Sequence, residues 1–269
     1  MRIGDTPNYG KPPASAGAGT CWSALARSYR RSTQLGVHVH RQAQLLFAAH
    51  GVMQVTTPTG RWLVPPERAV WLPPRLEHAV DVLADIEMRT LYFEPDWLAR
   101  HPEASRLGRE FVVVVGPLLR QVILAAFRDG GDPRRTALLA QLALFELVEA
   151  EDATTFMPLP DEPRARRVAE LVLADPAGRR TLEELARAAG ASSRTITRLF
   201  PAETDLTFKA WRRRARIMAA VEALGSGQSS LKQVAARLGF SSAAAFGYAF
   251  RQVMGTTPRR LLRRSAGTR

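Results

Sequence analysis

Cysteine is nearly absent from this chain: Cys21 is the only one in 269 residues. A lone thiol excludes a disulfide framework and any zinc site built from clustered cysteines. Long apolar runs are missing as well. No stretch reaches the roughly 20 residues that a membrane-spanning helix needs, and the N-terminus has no apolar secretory core. The chain is therefore expected in the cytoplasm, with no membrane partner. Lysine is scarce, 3 against 35 arginines, which fits the codon bias of a GC-rich bacterium better than a physical demand at every site. Acidic residues are thin in one region only. Residues 164–269 hold 21 basic and 7 acidic residues, a net +14, while the other 163 residues hold 17 and 18, a net −1. The whole excess charge lies in the C-terminal part, as expected of a module that neutralises phosphates. The arginines are dispersed over several short helical segments, so no single cationic amphipathic helix argues for a membrane surface.

The C-terminal part contains one pattern twice. Leu182-Glu-Glu-Leu-Ala-Arg-Ala-Ala-Gly190-Ala-Ser-Ser193 returns 49 residues later as Leu231-Lys-Gln-Val-Ala-Ala-Arg-Leu-Gly239-Phe-Ser-Ser242, each followed by a second amphipathic run. The spacing predicts two helix-turn-helix units. Ala186 and Ala235 let the second helix of each unit approach closely. Gly190 and Gly239 end the first helix in the left-handed conformation. Ser192 and Ser241 are expected to cap the second helix, which would enter a DNA major groove. Between the units, Phe208, Trp211, Ile217, Val221 and Leu224 recur at helical spacing, leaving a basic opposite face. Ser229 or Ser230 starts the next helix, and Pro258 opens a short closing one.

Trp211-Arg-Arg-Arg-Ala-Arg216, Ala235-Ala-Arg-Leu-Gly-Phe-Ser-Ser242 and Phe250-Arg-Gln-Val-Met-Gly-Thr-Thr-Pro258 resemble the signature of the AraC/XylS family of bacterial transcription regulators. The likeness covers roughly residues 164 to 264. It implies two recognition helices in successive major grooves of double-stranded DNA, beside RNA polymerase. By that match, Arg194, Thr197 and Arg198 take the base-reading positions of the first unit. Ala243, Ala244, Gly247 and Tyr248 take those of the second, a face almost without long donors. Arginine can bond guanine in bidentate fashion and threonine can touch a thymine methyl, so the first unit is expected to carry most base specificity. Ser192, Ser193, Ser241, Ser242, Arg213, Arg214, Arg216, Arg251 and Arg264 are candidate phosphate contacts. The single cysteine weighs against a DNA-repair use of the same helical domain, which would need a zinc-bound acceptor cysteine.

From His38 to Glu94 the pattern changes to short strands: Ala43 to Ala49, Val52 to Thr57, Arg61 to Val64, Ala69 to Leu72, His78 to Leu83 and Ile86 to Phe93. Turn residues such as Gly51, Pro65-Pro66 and Pro73-Pro74 separate them. Closely spaced strands suggest a barrel or jelly roll. His38 and His40, two apart, would share a strand face, and Gln44 keeps their parity. His78 opens a later strand. These residues resemble the two metal motifs of the cupin family, with Gln44 where Glu is usual and Arg75 where Gly is usual. The resemblance implies a divalent transition metal on His38, His40 and His78, with Gln44 as fourth ligand. Imidazole donors suit Zn, Ni, Fe or Cu. The bland alternative is a barrel that keeps these groups as pocket-lining hydrogen-bonders. Residues 36 to 95 resemble the cupin-type sensor domain of one AraC/XylS branch. Phe47, Met53, Trp62, Trp71 and Tyr92 are candidate lining for an effector pocket, although plain core is the commoner use of such residues.

A length of 269 residues allows two domains. The expected class is α+β: a leader over 1–31 without structure, a cupin-like barrel with flanking helices over 32–151, a proline-rich linker over 152–163, and an all-α double helix-turn-helix over 164–269. A strand at Phe111 to Val115 and helices over Pro117 to Arg128 and Pro133 to Glu151 complete the middle. These helices either cover the barrel or, as the resemblance implies, pair with a second copy of the chain. The expected function is a DNA-binding regulator controlled by a small molecule or metal, and not an enzyme. The rivals are a cupin metalloenzyme with a helical DNA-binding appendage and an architectural DNA binder without an effector.

Overall fold

The computed structural model describes residues 21–127, 132–150, 155–225 and 230–265. The chain starts with β1 (Trp22–Tyr29) and β2 (Gln34–His38), then a long β3 (Ala43–Thr57), β4 (Gly60–Val64), β5 (Arg68–Leu72) and a long β6 (His78–Phe93). A short α1 (Pro95–Leu98) and a 3-10 turn at Pro102–Gly108 lead to β7 (Phe111–Val114). Helices α2 (Pro117–Ala125) and α3 (Pro133–Glu149) follow, then β8 (Phe156–Pro158). The helical half comprises α4 (Pro163–Ala174), α5 (Leu182–Ala188), α6 (Ser193–Thr204), α7 (Phe208–Gly225), α8 (Leu231–Arg237), α9 (Ala243–Met254) and α10 (Pro258–Ser265).

The sheet is antiparallel and organised by β3 and β6, which pair along their length. Their first and second halves serve different neighbours. The start of β3 pairs with β5, and its end with β4. The start of β6 pairs with β2, and its end with β1. The sequence suggests two strands on either side of Gly51, and two on either side of Asp85. Each pair is one strand, bent by a bulge where the register slips between Ala48 and Met53. The extra residue reverses which side chains face inward. Leu46 and Ala48 lie in the same core cluster as Met53 and Val55, which alternation without a bulge would forbid. Gly51 makes this possible: its φ is +83°, and a Cβ there would sit 2.1 Å from the Asp85 carbonyl oxygen. Gly51→Ala should cost at least about 2 kcal/mol, since left-handed strain alone costs 1–3 and the clash is with backbone. An unchanged urea midpoint would refute the role given to this bulge.

Alternation sorts the sheet's side chains into two cores. Leu45, Phe47, Trp71, Leu91, Phe93 and Phe111 face α2 and α3. Leu46, Val55, Trp62, Val64, Val70, Val80 and Met88 face the interior between the half-sheets. Two boundary expectations need correction. Residues 22–29 are not leader but β1, with Trp22 opposite Phe93 and Tyr29 opposite Ile86. The signal was weak because only Trp22 within β1 is fully buried. Residues 1–20 of the leader lie outside the described residues. Within the supposed linker, Phe156–Pro158 is β8, paired to β4, with the Phe156 ring stacked on Trp62 at 3.8 Å. Residues 152–154 lie outside the described residues.

The helical half follows its sequence signals closely. Thr181 with Glu184 and Ser230 with Gln233 form reciprocal capping boxes at the starts of α5 and α8. Both first helices end alike. Gly190 (φ +66°) and Gly239 (φ +73°) are left-handed, and the next N–H reaches back to Ala186 or Ala235 at 2.9 and 3.0 Å. Val52, Leu63, Leu83, Ala84 and Met157 of the sheet then join Trp211, Val221, Phe246 and the other buried helical residues in one continuous apolar core. The two halves are therefore packed together across α7.

Candidate DNA-binding face and three-histidine centre

In the first unit Ser192 caps α6, its hydroxyl accepting from the Thr195 N–H at 3.1 Å. Ile196 and Phe200 are buried, so the opposite face of the same helix is left outside. Arg194, Thr197 and Arg198 are exposed there and line one open groove together with Ser193. The Thr197 hydroxyl donates back to the Ser193 carbonyl at 2.8 Å, which occupies its proton. In the second unit the turn is one residue longer. Ser242, not Ser241, caps α9, accepting from the Ala245 N–H at 3.0 Å. Phe240 lies in that longer turn, its ring against Phe246 at 5.3 Å. Ala243, Ala244 and Tyr248 are exposed on α9, and Gly247 is half-buried. Ser241 is exposed without a capping bond, and Arg251 is exposed further along α9.

The arginine-rich stretch of α7 divides its work. Arg212 donates to the carbonyls of Arg180 and Gly178, and Arg216 Nε to that of Pro176 at 3.3 Å. Together, one turn apart, they hold the loop between α4 and α5. Arg214 is corrected as a phosphate candidate. Its guanidinium turns to the barrel and donates to the Phe156 carbonyl, and burial lowers its pKa from the ordinary value. Arg213 stays exposed. The i, i+4 pair at 212 and 216 beside a Pro-Ala-Gly loop is a signal that sequence reading passed over. The Arg264 side chain lies outside the described residues.

At the other end of the molecule, His38, His40 and His78 converge. One ring nitrogen from each lies within 4.8 Å of the others. His38 ends β2 and sits opposite His78, which starts β6. His40 is not on the strand, as its spacing suggested, but two residues beyond it. Its loop is held by the Arg75 N–H, which donates to the His40 carbonyl at 2.8 Å. Arg75, at the position where the motif usually has glycine, takes the left-handed backbone (φ 62°). His38 Nδ1 lies 2.6 Å from the Gly36 carbonyl and His78 Nδ1 3.0 Å from that of Leu76. A carbonyl can only accept, so each Nδ1 carries a hydrogen, and in the neutral ring the lone pair then lies on Nε2. His40 Nε2, His78 Nε2 and Gln44 Oε1 are buried without a hydrogen-bond partner. Burial, aided by the neighbouring imidazoles, lowers the pKa of His40 and of His78 to about 4. Both rings are thus neutral near pH 7, the form that ligates. Tetrahedral ligands about 2.1 Å from a zinc ion stand about 3.4 Å apart, so small side-chain rotations would bring these nitrogens to a shared ion. Three imidazole nitrogens and an amide oxygen fit a borderline divalent ion.

Residues 185–264 match a family described as a helix-turn-helix domain, and residues 24–148 one described as an AraC-like ligand binding domain. The HTH-type transcriptional regulator NimR of Escherichia coli K12 is 31% identical over 231 residues, covering 85% of this chain and 82% of NimR. This chain belongs to the AraC family of transcriptional regulators. The HTH-type transcriptional regulator RipA of Corynebacterium glutamicum is 37% identical over 101 residues, which is 38% of this chain and 30% of RipA. ToxT from Vibrio cholerae is 11% identical, with a TM-score of 0.40, covering 92% of this chain and all of ToxT.

In this AraC-family regulator the five expected pocket residues do not line one cavity. Phe47 and Trp71 lie in the core under α2 and α3, where Trp71 Nε1 donates to the Leu107 carbonyl at 2.9 Å. Met53 and Trp62 are in the interior core. Tyr92 meets the edge of His40 at 5.5 Å, and burial raises its pKa to about 12 against a hydrogen bond from Gln44. Tyr92 and Gln44 therefore belong with the histidines. The flip at Gly51 puts Phe47 and Met53, which share parity along β3, into different cores. Among the described residues no helix is long and apolar enough to cross a membrane.

Proposed function

We propose that the regulator reads promoter DNA mainly through α6, in the cytoplasm, beside RNA polymerase and as a pair of chains, and takes its signal at the three-histidine centre. The observation that carries the control site is the set of buried, partnerless acceptors on His40, His78 and Gln44. Leaving such groups unsatisfied costs about 1–3 kcal/mol each, and a divalent transition metal would satisfy several at once. His38, His40 and His78 would hold it, with Gln44 beside them. Bound there, the ion would supply an electrophilic site able to take an anionic small molecule. The histidine cluster holds no carboxylate among the described residues, which favours sensing over a metalloenzyme's acid–base chemistry. The test is fluorescence anisotropy on one operator fragment with metal-loaded and chelator-stripped protein. Two distinct affinities are expected. Identical affinities, with no metal retained on purification, would leave the histidines as pocket lining.

The same assay tests the reading face. Arg198→Ala should cost about 1–3 kcal/mol at the preferred site and relax the preference at one base pair. Thr197 offers its methyl, because its hydroxyl proton is taken by Ser193. An equal loss on unrelated sequences would put Arg198 on phosphate instead.

A further inference from the structure

The second recognition helix ends on a side chain of the barrel. Arg68 opens β5, a strand bonded on both sides: Ala69 lies opposite Phe47 of β3, and Arg68 itself opposite Val114 of β7. The Arg68 backbone N–H donates to the Pro65 carbonyl at 2.9 Å, and Nη1 to the Glu67 carbonyl at 3.3 Å. From this fixed base Nη2 donates to the Met254 carbonyl at 3.4 Å, 186 positions away in sequence. Met254 is the last residue of α9, where helix carbonyls run out of intrahelical partners. A cation there also complements the negative pole of the helix dipole. Pro65 and Pro66 of the barrel close around the same contact with Met254 and Leu261.

The first unit is closed differently. The Thr204 hydroxyl at the end of α6 donates to the Phe200 carbonyl at 2.6 Å. Glu203 accepts from the N–H groups of Asp161 and Glu162. These ties come from α6 itself and from the segment that leads into α4. The difference bears on what each helix presents. Arg194 and Arg198 of α6 can follow a base through several rotatable bonds, whereas Ala243, Ala244 and Gly247 of α9 cannot. Close contact through such short groups loses a quarter to a half of its attraction over a gap of about 0.5–1 Å. At 1.5 Å per residue α9 is about 18 Å long, so a pivot of about 10° at Met254 would carry Ala243 about 3 Å from its place. A face without long side chains therefore depends on the angle of its helix.

We infer that Arg68 is a positioning residue for DNA binding: the barrel caps the C-terminal end of α9 and sets the angle at which the second unit meets its groove. Hydroxyl-radical footprinting tests this, on a duplex selected by the native chain from a randomised pool. The native chain should protect two patches about one helical turn apart. Arg198→Ala, which weakens the α6 patch, tells them apart. Arg68→Met should keep the α6 patch and weaken the α9 patch roughly tenfold or more, the scale of a charge-assisted hydrogen bond. Arg68→Lys, which retains a cation and a donor, should restore most of it. In the free Arg68→Met chain, amide hydrogen exchange should quicken at the end of α9 and stay unchanged in α6. Two patches kept at native strength would overturn the inference. So would a native footprint of one patch only. Loss of both patches together, with a lowered melting temperature, would make Arg68 a residue of the fold at large and overturn it too.

Discussion

Trp211→Ala should lower the free energy of unfolding by about 3–5 kcal/mol, the range for removing a large aromatic from a packed core. Trp211 is fully buried, edge-on to Phe200 at 5.3 Å. Its indole Nε1 donates to the Pro158 carbonyl of β8 at 2.7 Å. The substitution therefore opens a cavity in the core shared by both halves and leaves the Pro158 carbonyl at their junction without its donor. Trp211→Phe should cost less, because it keeps much of the packing and loses the bond. Urea unfolding followed by far-ultraviolet and tryptophan signals checks this. A single transition, shifted for both probes, is expected. A loss under about 1 kcal/mol, or a helical transition that moves while the barrel's stays, would sink the argument.

The second large effect is expected at the histidines. Native protein should carry about one equivalent of a divalent transition metal, and His38→Ala/His78→Ala close to none. Two of three imidazoles are then gone, and the remaining His40 and Gln44 are a poor donor set. Ligand linkage fixes the size of the thermal effect. Metal at a thousand times its dissociation constant stabilises the native state by about 4 kcal/mol, and the variant should gain nothing from the same addition. Without metal the two proteins should differ little, because deleting His78 removes a partnerless buried nitrogen while it opens a cavity. Elemental analysis beside calorimetry, with and without added metal, gives all four values. Equal metal content in both proteins would disprove the site.

Most of the helical half was legible in the sequence because its signals are local. A glycine in the left-handed region, a hydroxyl before a helix and an apolar residue every third or fourth position act over one or two turns. Gly190, Ser192 and the buried face of α7 are where spacing put them. The Ser241 cap failed by one residue: α9 starts one position later after its glycine than α6 does. What was not legible depends on distant partners. β1 is an edge strand whose pairing with β6 spans more than fifty residues. The role of Arg214 depends on a carbonyl 58 positions away. At the three-histidine cluster the residue set could be read from motif spacing. The carbonyls that orient His38 and His78, and the off-strand loop carrying His40, needed three dimensions.

The core that runs unbroken from the sheet into the helices limits how this molecule can be taken apart. Severed between 152 and 163, the barrel would show Val52, Leu63, Leu83, Ala84 and Met157 to water, and the helical piece the side of α7 that had covered them. Each fragment would then carry an adhesive patch of its own. A swap of sensory modules among relatives would have to carry the matching surface of α7 with it, because the halves are cut to one another and are not beads on a string.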